Sequence, residues 1–291
     1  MISGNEVAGT DLEVWSPMEH TTTRRFFPRF SPTTIGTLLL VLSVGPLAGF
    51  AKASHEVSVE TPTEDAPFAE EMATAETSFR TTGRSRSRAH NVELAAKFLH
   101  GAVLQPGETL SFNQRVGERS AENGFLAAPV IAAGRIRSGM GGGVCQVSTT
   151  LHIASLGAGL EIVEHRTHSR PSSYAPVGLD APAPWGALHY QVRNPYDYPV
   201  RVSAFTRGGE VHVSIEGAEV VAHQVSGETV RELPIRERVV TDASLAAGAR
   251  EVEQAGRVGA VARVVVVAAD GTRQVENHWY SAAPRIVRIG A

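Results

Sequence analysis

The only cysteine of the chain, Cys145, follows a glycine run in the segment Gly139-Met140-Gly141-Gly142-Gly143-Val144-Cys145-Gln146. A lone cysteine is a small buried hydrophobe, a thiol kept for chemistry, or one half of an intermolecular disulfide. The residues that follow bear on the choice. Val147, Leu151, Ala154 and Ala158 recur at helical spacing, which puts Cys145, Ser148, Thr149 and His152 on the opposite face. The thiol is therefore expected in the first turn of a helix, pointing away from that helix's apolar stripe. Free N–H groups and the positive end of the helix dipole favour a thiolate there, and the same groups can hold an oxyanion. Glycines leave the backbone uncovered, so a ligand can approach Gly141, Gly142 and Gly143 closely.

A nucleophile needs a base. His152 lies seven residues along the same helix, and ~10.5 Å of rise is too far for a direct hydrogen bond. His168 is the better candidate, because the run Leu160 to Glu164 reads as a strand leading back from the helix. Asp180 can orient its imidazole, giving a nucleophile, a base and an orienting group. The plainer alternative is a cysteine that packs in a tight turn and a histidine that only completes a polar network. Spacing leaves both open.

The elements around this segment are legible in outline. Asn91 is expected to cap a helix carrying Leu94, Ala95, Phe98, Leu99 and Ala102, stopped by the turn Gln105-Pro106-Gly107-Glu108. Thr109 to Asn113 reads as a short strand, and Gly124 to Ile131 as a second, buried one. Val200 to Ile215 alternates around Gly208-Gly209 as a hairpin. Val261 to Val267 and Gln274 to Trp279 pair across Asp270-Gly271.

The N-terminal part reads as a leader. Arg24, Arg25 and Arg29 precede an apolar run from Ile35 to Phe50, and Ala51-Lys52-Ala53 is a small-x-small cleavage site. The run is short for a membrane span and holds Pro46. Contact with a membrane is expected only through this segment, if it stays uncleaved. Residues 54–76 are acidic and rich in Pro and Thr, which predicts a solvated tether. The arginines that follow, Arg80, Arg84, Arg86 and Arg88, read as a solvated face, with a face toward acidic wall polymer as the alternative. The chain is 42% hydrophobic and 20% charged, ordinary for a soluble globular protein. Its net charge of -3 disfavours nucleic acid as a partner. No H-E-x-x-H, P-loop or Rossmann fingerprint is present, and a single cysteine cannot build a multi-cysteine cluster, so no metal or cofactor is expected.

Several segments together resemble the VanW-like family, named after an accessory protein of B-type vancomycin resistance clusters. They are Arg88-Ala89-His90-Asn91, Pro106 to Asn113, Gly141 to Leu151, His168-Ser169-Arg170-Pro171 with Tyr174, Gly178-Leu179-Asp180-Ala181, and Asn194. They run in family order across residues 77–218. His152 departs from the family, where a tyrosine is common, and Pro182-Ala183-Pro184 interrupts the usual run after Asp180-Ala181. Residues 219–291, with Gly248, Gly256, Gly259 and Gly271, resemble the β-rich five-glycine domain, thought to bind cell-wall sugars; Trp279 and Tyr280 are candidate stacking residues if exposed, although aromatics in a short β-ribbon more often pack in its small core. The resemblance implies the bacterial envelope and antibiotic resistance as context; it implies no reaction.

The expected architecture is α+β. Residues 1–53 are an N-terminal extension with a signal peptide and 54–76 a tether. Residues 77–218 form a VanW-like domain with a mixed sheet, whose helix carries the glycine-rich cysteine loop at its N-terminus. Residues 219–291 form a small β-rich domain. The expected catalytic set is Cys145, His168 and Asp180. Substrate contacts are expected from Gly141, Gly142, Gly143, Gln146, Ser148, Arg170 and Tyr174. The expected partner is peptidoglycan or another cell-wall polymer, met in the periplasm or cell envelope. The chain is expected to act there by cysteine-dependent acyl transfer or hydrolysis on stem peptides, or as a non-catalytic wall-binding or assembly module.

Overall fold

The computed structural model describes residues 66–132 and 135–291, so the leader and most of the tether lie outside the described residues. The tether ends earlier than its composition suggests. Met72, Ala75 and Thr77 are buried while Glu70, Glu71 and Glu76 face solvent, and this alternation makes strand β1 (Glu70–Ser78). Acidity there is the wet face of a strand, which composition alone does not separate from a solvated linker.

Helix α1 (Arg86–Leu99) starts ahead of Asn91, since nothing in Arg86 to His90 opposes a helix. Asn91 is therefore no cap. It is fully buried at mid-helix, where its side-chain amide donates to the carbonyls of Leu126 (2.9 Å) and Gly142 (3.0 Å) and accepts the Leu126 N–H (2.8 Å). Strands β2 (Ala102–Leu104) and β3 (Thr109–Ser111) follow, and Ser111 then caps the short helix α2 (Phe112–Val116), which takes Asn113 out of the expected strand. The expected buried strand at 124–131 is instead a hairpin, β4 (Ala127–Ala132) and β5 (Arg135–Met140). With only two strands in its sheet it has no layer to hide under, and Ile136 is 62% exposed. Helix α3 (Val144–Gly157) leads to β6 (Glu161–Glu164), β7 (Gln191–Arg193), β8 (Val200–Arg207) and β9 (Glu210–Gly217).

Strands β1, β9, β8 and β2 form an antiparallel sheet in that order, and β3, β7 and β6 a smaller one. Helices α1 and α3 pack on the larger sheet, enclosing Val92, Leu99, Val147, Leu151, Val202, Val213 and Ile215. Burying one such side chain is worth about 1.5–3 kcal/mol. The predicted stripe of α3, Val147, Leu151, Ala154 and Ala158, lies in this core. Its opposite face is buried as well, since Ser148, Thr149 and His152 are covered. The face predicted to point outward meets a second interior built from residues 165–190.

The chain then forms β10 (Gln224–Leu233), β11 (Glu237–Asp242), β12 (Arg250–Gln254), β13 (Gly259–Val267), β14 (Arg273–Tyr280) and β15 (Arg285–Gly290). One antiparallel sheet has the order β10-β13-β14; in the other, β15 pairs parallel with β11 and antiparallel with β12. The fold is α+β, but the mixed sheet lies in this C-terminal part. Every strand pairing among the described residues before it is antiparallel, as hairpin connections dictate. The expected boundary at 218/219 is a change of sheet within one compact unit. Leu179 packs with Val264 and Val266, and Tyr280 is fully buried. Alternation along β14 sends Trp279, 61% exposed, to the other side, so of the two aromatics one packs inside and one faces solvent.

The glycine run is shaped by protein, not by open space. A Cβ on Gly141 would meet the Arg119 side chain at 2.5 Å, and one on Gly143 would meet Arg88 at 2.9 Å. Gly142 faces main chain: a Cβ there would lie 2.6 Å from the Pro129 carbonyl oxygen and 2.7 Å from that of Ala128. The obstacles at Gly141 and Gly143 are the roots of the two arginine side chains and the Arg88 carbonyl oxygen, and at Gly142 the obstacle is β4 itself, which cannot move without breaking its contacts. Gly142→Ala should therefore lower stability by about 2–3 kcal/mol, seen as a fall in the denaturant midpoint, and an unchanged midpoint would show that the strand yields freely.

Candidate functional site

Cys145 is the second residue of α3, preceded by Gly143 in a left-handed conformation at φ 111°. Its side chain is half-buried at the wall of a cavity of about 910 Å³. The residues after it fasten the helix. Gln146 is fully buried; its amide donates to Thr77 Oγ1 and the Ser78 carbonyl, both at 2.9 Å, and accepts from Arg88 Nη2 at 2.6 Å. Thr150 shares a 2.8 Å hydrogen bond with Thr77 on β1. Ser148 donates to the Ala181 carbonyl at 2.5 Å, and Thr149 accepts the Ala181 N–H at 3.0 Å. The polar face of α3 thus holds the segment that carries Asp180 beside the segment that carries Cys145.

Asp180 is fully buried and ionised. Its Oδ2 accepts the main-chain N–H of His168 at 2.7 Å and its Nδ1–H at 2.6 Å, while its Oδ1 accepts the Tyr280 hydroxyl hydrogen. Burial pushes its carboxyl up, but the bonds from His168 and Tyr280 outweigh burial and hold it below the usual carboxylate range. With Nδ1–H given to the carboxylate, the other ring nitrogen of His168 is left for another partner, and Cys145 lies near enough that each group shifts the other's ionisation. Burial lowers the imidazole, and the partners Asp180 and Cys145 more than offset it, raising His168 to about 9. Burial likewise pushes the thiol up. The His168 hydrogen bond and charge, the Ala183 N–H and the Arg119 guanidinium bring it below its ordinary value of 9.0. The two shifts run toward a thiolate beside an imidazolium, the thiol lowered and the imidazole raised.

Cys145, His168 and Asp180 therefore lie in sequence as a relay, with Asp180 hydrogen-bonded to His168 and His168 electrostatically coupled to the thiol. Of the expected substrate contacts, Gly141, Gly142, Gly143, Gln146, Arg170 and Tyr174 line the cavity. Ser148 does not; it is buried behind Cys145. Gln146 reaches the cavity with its amide already committed. Tyr174 bonds to Thr149 and lies under Arg88, whose guanidinium carbon is 5.8 Å from the ring centre. His152 takes no part, being stacked on His165 with ring centres 4.2 Å apart. In the first turn of α3 the Val144 and Gln146 N–H groups bond to Gly141 and Gly143 carbonyls, and the Cys145 N–H has no main-chain partner among the described residues. Sequence reasoning missed two residues. Tyr280 is a hundred positions from Asp180, and nothing local announces the contact. Arg119 sits outside the glycine segment, though a lone buried arginine would have been a signal had burial been predictable.

No group of His, Cys, Asp and Glu side chains among the described residues is arranged to hold a metal ion. No helix among them is long and apolar enough to cross a membrane.

Residues 87–216 match the family described as VanW like protein. Uncharacterized protein YoaR of Bacillus subtilis is 40% identical over 137 residues, which is 47% of this chain and 45% of that protein. Vancomycin B-type resistance protein VanW of Enterococcus faecalis is 32% identical over 116 residues, 38% of this chain and 42% of that protein. The chain spans less than half the length of these relatives. Among solved structures, the IgA1 protease G5 domain is similar over 25% of this chain and 94% of its own, with 22% identity and a TM-score of 0.20. The HP0197-G5 crystal structure matches over 25% and 100%, with 23% identity and a TM-score of 0.17.

Two outcomes follow from the relay. The rate of iodoacetamide alkylation of Cys145 should rise with pH around a midpoint below 9.0, with a second inflection near pH 9 where His168 loses its proton. Asp180→Asn removes the charge and acceptor that hold the imidazole protonated, so the first midpoint should move up and the second down. Coincident profiles for the two proteins would show that Asp180 does not act through His168. Tyr280→Phe leaves the buried Asp180 Oδ1 and Gly178 N–H each short of a partner, and should cost about 1–3 kcal/mol in chemical denaturation.

Proposed function

Residues 87–216 belong to the VanW-like family, and from that premise we propose that the chain is a cysteine-dependent acyl transferase or hydrolase acting on an amide or ester of peptidoglycan stem peptides in the cell envelope. The observation that carries this reading is the Cys145–His168–Asp180 relay, set in a cavity wall with its thiol below and its imidazole above their ordinary ranges. The cell-wall substrate rests on weaker ground: the leader-like segment at 24–53 and the vancomycin resistance in the name of one relative.

In this reading the Cys145 thiolate attacks the acyl carbon, forming a carbon–sulfur bond as the carbonyl electron pair moves to oxygen. The Cys145 N–H, which has no main-chain partner among the described residues, is the donor this reading assigns to that oxyanion. Collapse breaks the bond to the leaving amine or alcohol, which takes the proton from His168 and departs. Water or an acceptor amine then gives a proton back to His168 and attacks the thioester, and the carbon–sulfur bond breaks to restore the thiolate. Asp180 keeps its charge throughout and holds the imidazole in one tautomer. The Gln146 and Thr150 anchors keep the thiol from moving relative to the sheet while this occurs.

A second reading, a wall-binding module, draws on the exposed indole of Trp279. The two separate on one set of variants. Purified peptidoglycan and synthetic stem peptides incubated with the protein should yield an acyl-enzyme mass and a released product. Cys145→Ala and His168→Ala should lower both by a factor on the order of 10³ or more. Undiminished wall binding and no product from any of the proteins would leave the module and remove the enzyme.

A further inference from the structure

The cavity beside Cys145 has an electrostatic imbalance that acyl transfer alone does not require. Arg80, Arg88, Arg119 and Arg170 line it, against the single carboxylate of Glu118. Arg119 is only 8% exposed, yet its partners are all neutral: the Gly117 carbonyl, Asn113 Oδ1 at 2.7 Å, the Ala183 carbonyl at 3.3 Å, and the faces of Phe112 and Trp185 at 5.5 and 5.7 Å. Its Nε is buried without a partner. Arg88 gives one hydrogen bond, to the neutral Gln146 amide, and rests on Tyr174. Neither guanidinium has a carboxylate within ion-pair distance among the described residues.

Guanidinium groups taken out of water without a counter-ion are costly. Burial lowers both of these, Arg119 to about 10, and for each the charge of Cys145 works against that lowering. Both cations are thus within electrostatic reach of the thiol. Cys145 does not balance them, because any negative charge on it is already offset by the positive charge of His168. Even with Cys145 and Asp180 both ionised, Arg88, Arg119 and His168 leave the site with an excess positive charge. The cavity lining also includes exposed apolar surface: Ile136, Met140 and Trp185 are 62%, 42% and 46% exposed, Trp185 with one face against Arg119.

We propose that Arg88 and Arg119 form a subsite for an oxyanion group of the acyl donor, a carboxylate or a phosphate, beside the bond that Cys145 attacks, with β5 and Trp185 covering an apolar flank. Planar guanidinium groups match both oxyacids, and a cavity with low-dielectric walls strengthens the pairing. Where the anion sits relative to the reacting bond rests on the reading of Cys145 as nucleophile; its binding does not.

The test uses the full chain as Cys145→Ser, which keeps the cavity and removes the thiol. N-acetyl-leucine, N-acetyl-leucinamide and N-acetyl-leucinol phosphate share one apolar skeleton and differ in the end group. Titration followed by NMR should show one or both anions binding about tenfold or more tightly than the amide, and their order tells carboxylate from phosphate. Arg88→Gln in the same background should narrow that preference by a similar factor. Equal affinity for all three ligands overturns the subsite, whether or not the arginine variant folds. Anion preference combined with an inert wild-type thiol removes the acyl-transfer reading and leaves the subsite standing. Equal affinities with a reactive thiol do the reverse.

Discussion

A buried carboxylate must be surrounded by donors or it will not stay ionised, and Asp180 meets that requirement by drawing three parts of the molecule together. Its two oxygens take the main chain and ring of His168 and the hydroxyl of Tyr280. The first bond fixes where the 168 segment turns, the second fixes the tautomer of the imidazole, and the third ties β14 to the α3 region. Tyr280 is itself pinned, because its oxygen also accepts the Gly178 N–H at 2.8 Å. The C-terminal sheets are consequently more than an appended module. They supply one of the groups that let Asp180 remain charged, and through it the polarity of the relay.

The glycine-rich segment solves a related packing problem. Cys145 has to leave a helix start and face a cavity whose walls are Arg88 on α1, Arg119 after α2, and the β4–β5 hairpin. All three close on the loop, and each occupies the space a Cβ would take at Gly143, Gly141 and Gly142. The same compactness puts both guanidinium groups near the thiol. Small residues here admit protein to protein, and the positive charge around the nucleophile is a result of that close approach.

How much of this the sequence disclosed depends on range. The stripe of α3 and the hairpins at 200–217 and 259–280 were legible, because periodicity and turn chemistry are local signals, while residue type alone pointed to Asp180 as the group that His168 meets. Asn91 looked like a cap because its type suits one, and only tertiary contact makes it a buried cross-link between α1 and the loop. Gln146 and Ser148 looked like ligand contacts for their position beside the cysteine, and their bonds turn out to run inward. Glu70 to Glu76 looked unfolded because acidic composition masks a period-two pattern interrupted by a bulge. Tyr280 was out of reach, since no local feature records a contact across a hundred residues.

Behind Asp180, away from the thiol, three histidines fill the gap between α3 and the C-terminal sheet. His152 stacks on His165, and His278 meets His165 edge-on with ring centres 5.4 Å apart. All three are lowered chiefly by burial, His165 to about 4 even with its Nε2 within 3.0 Å of the Asp180 carbonyl. They are therefore neutral where His168 is charged, although the same carboxylate lies close to both groups. The difference follows from which oxygen each ring faces: His168 meets the carboxylate itself, His165 only a carbonyl. A second imidazolium on the far side would compete for the charge of Asp180 and weaken its hold on His168. Burying those rings as neutral groups leaves the carboxylate's field directed at the one imidazole that touches the thiol.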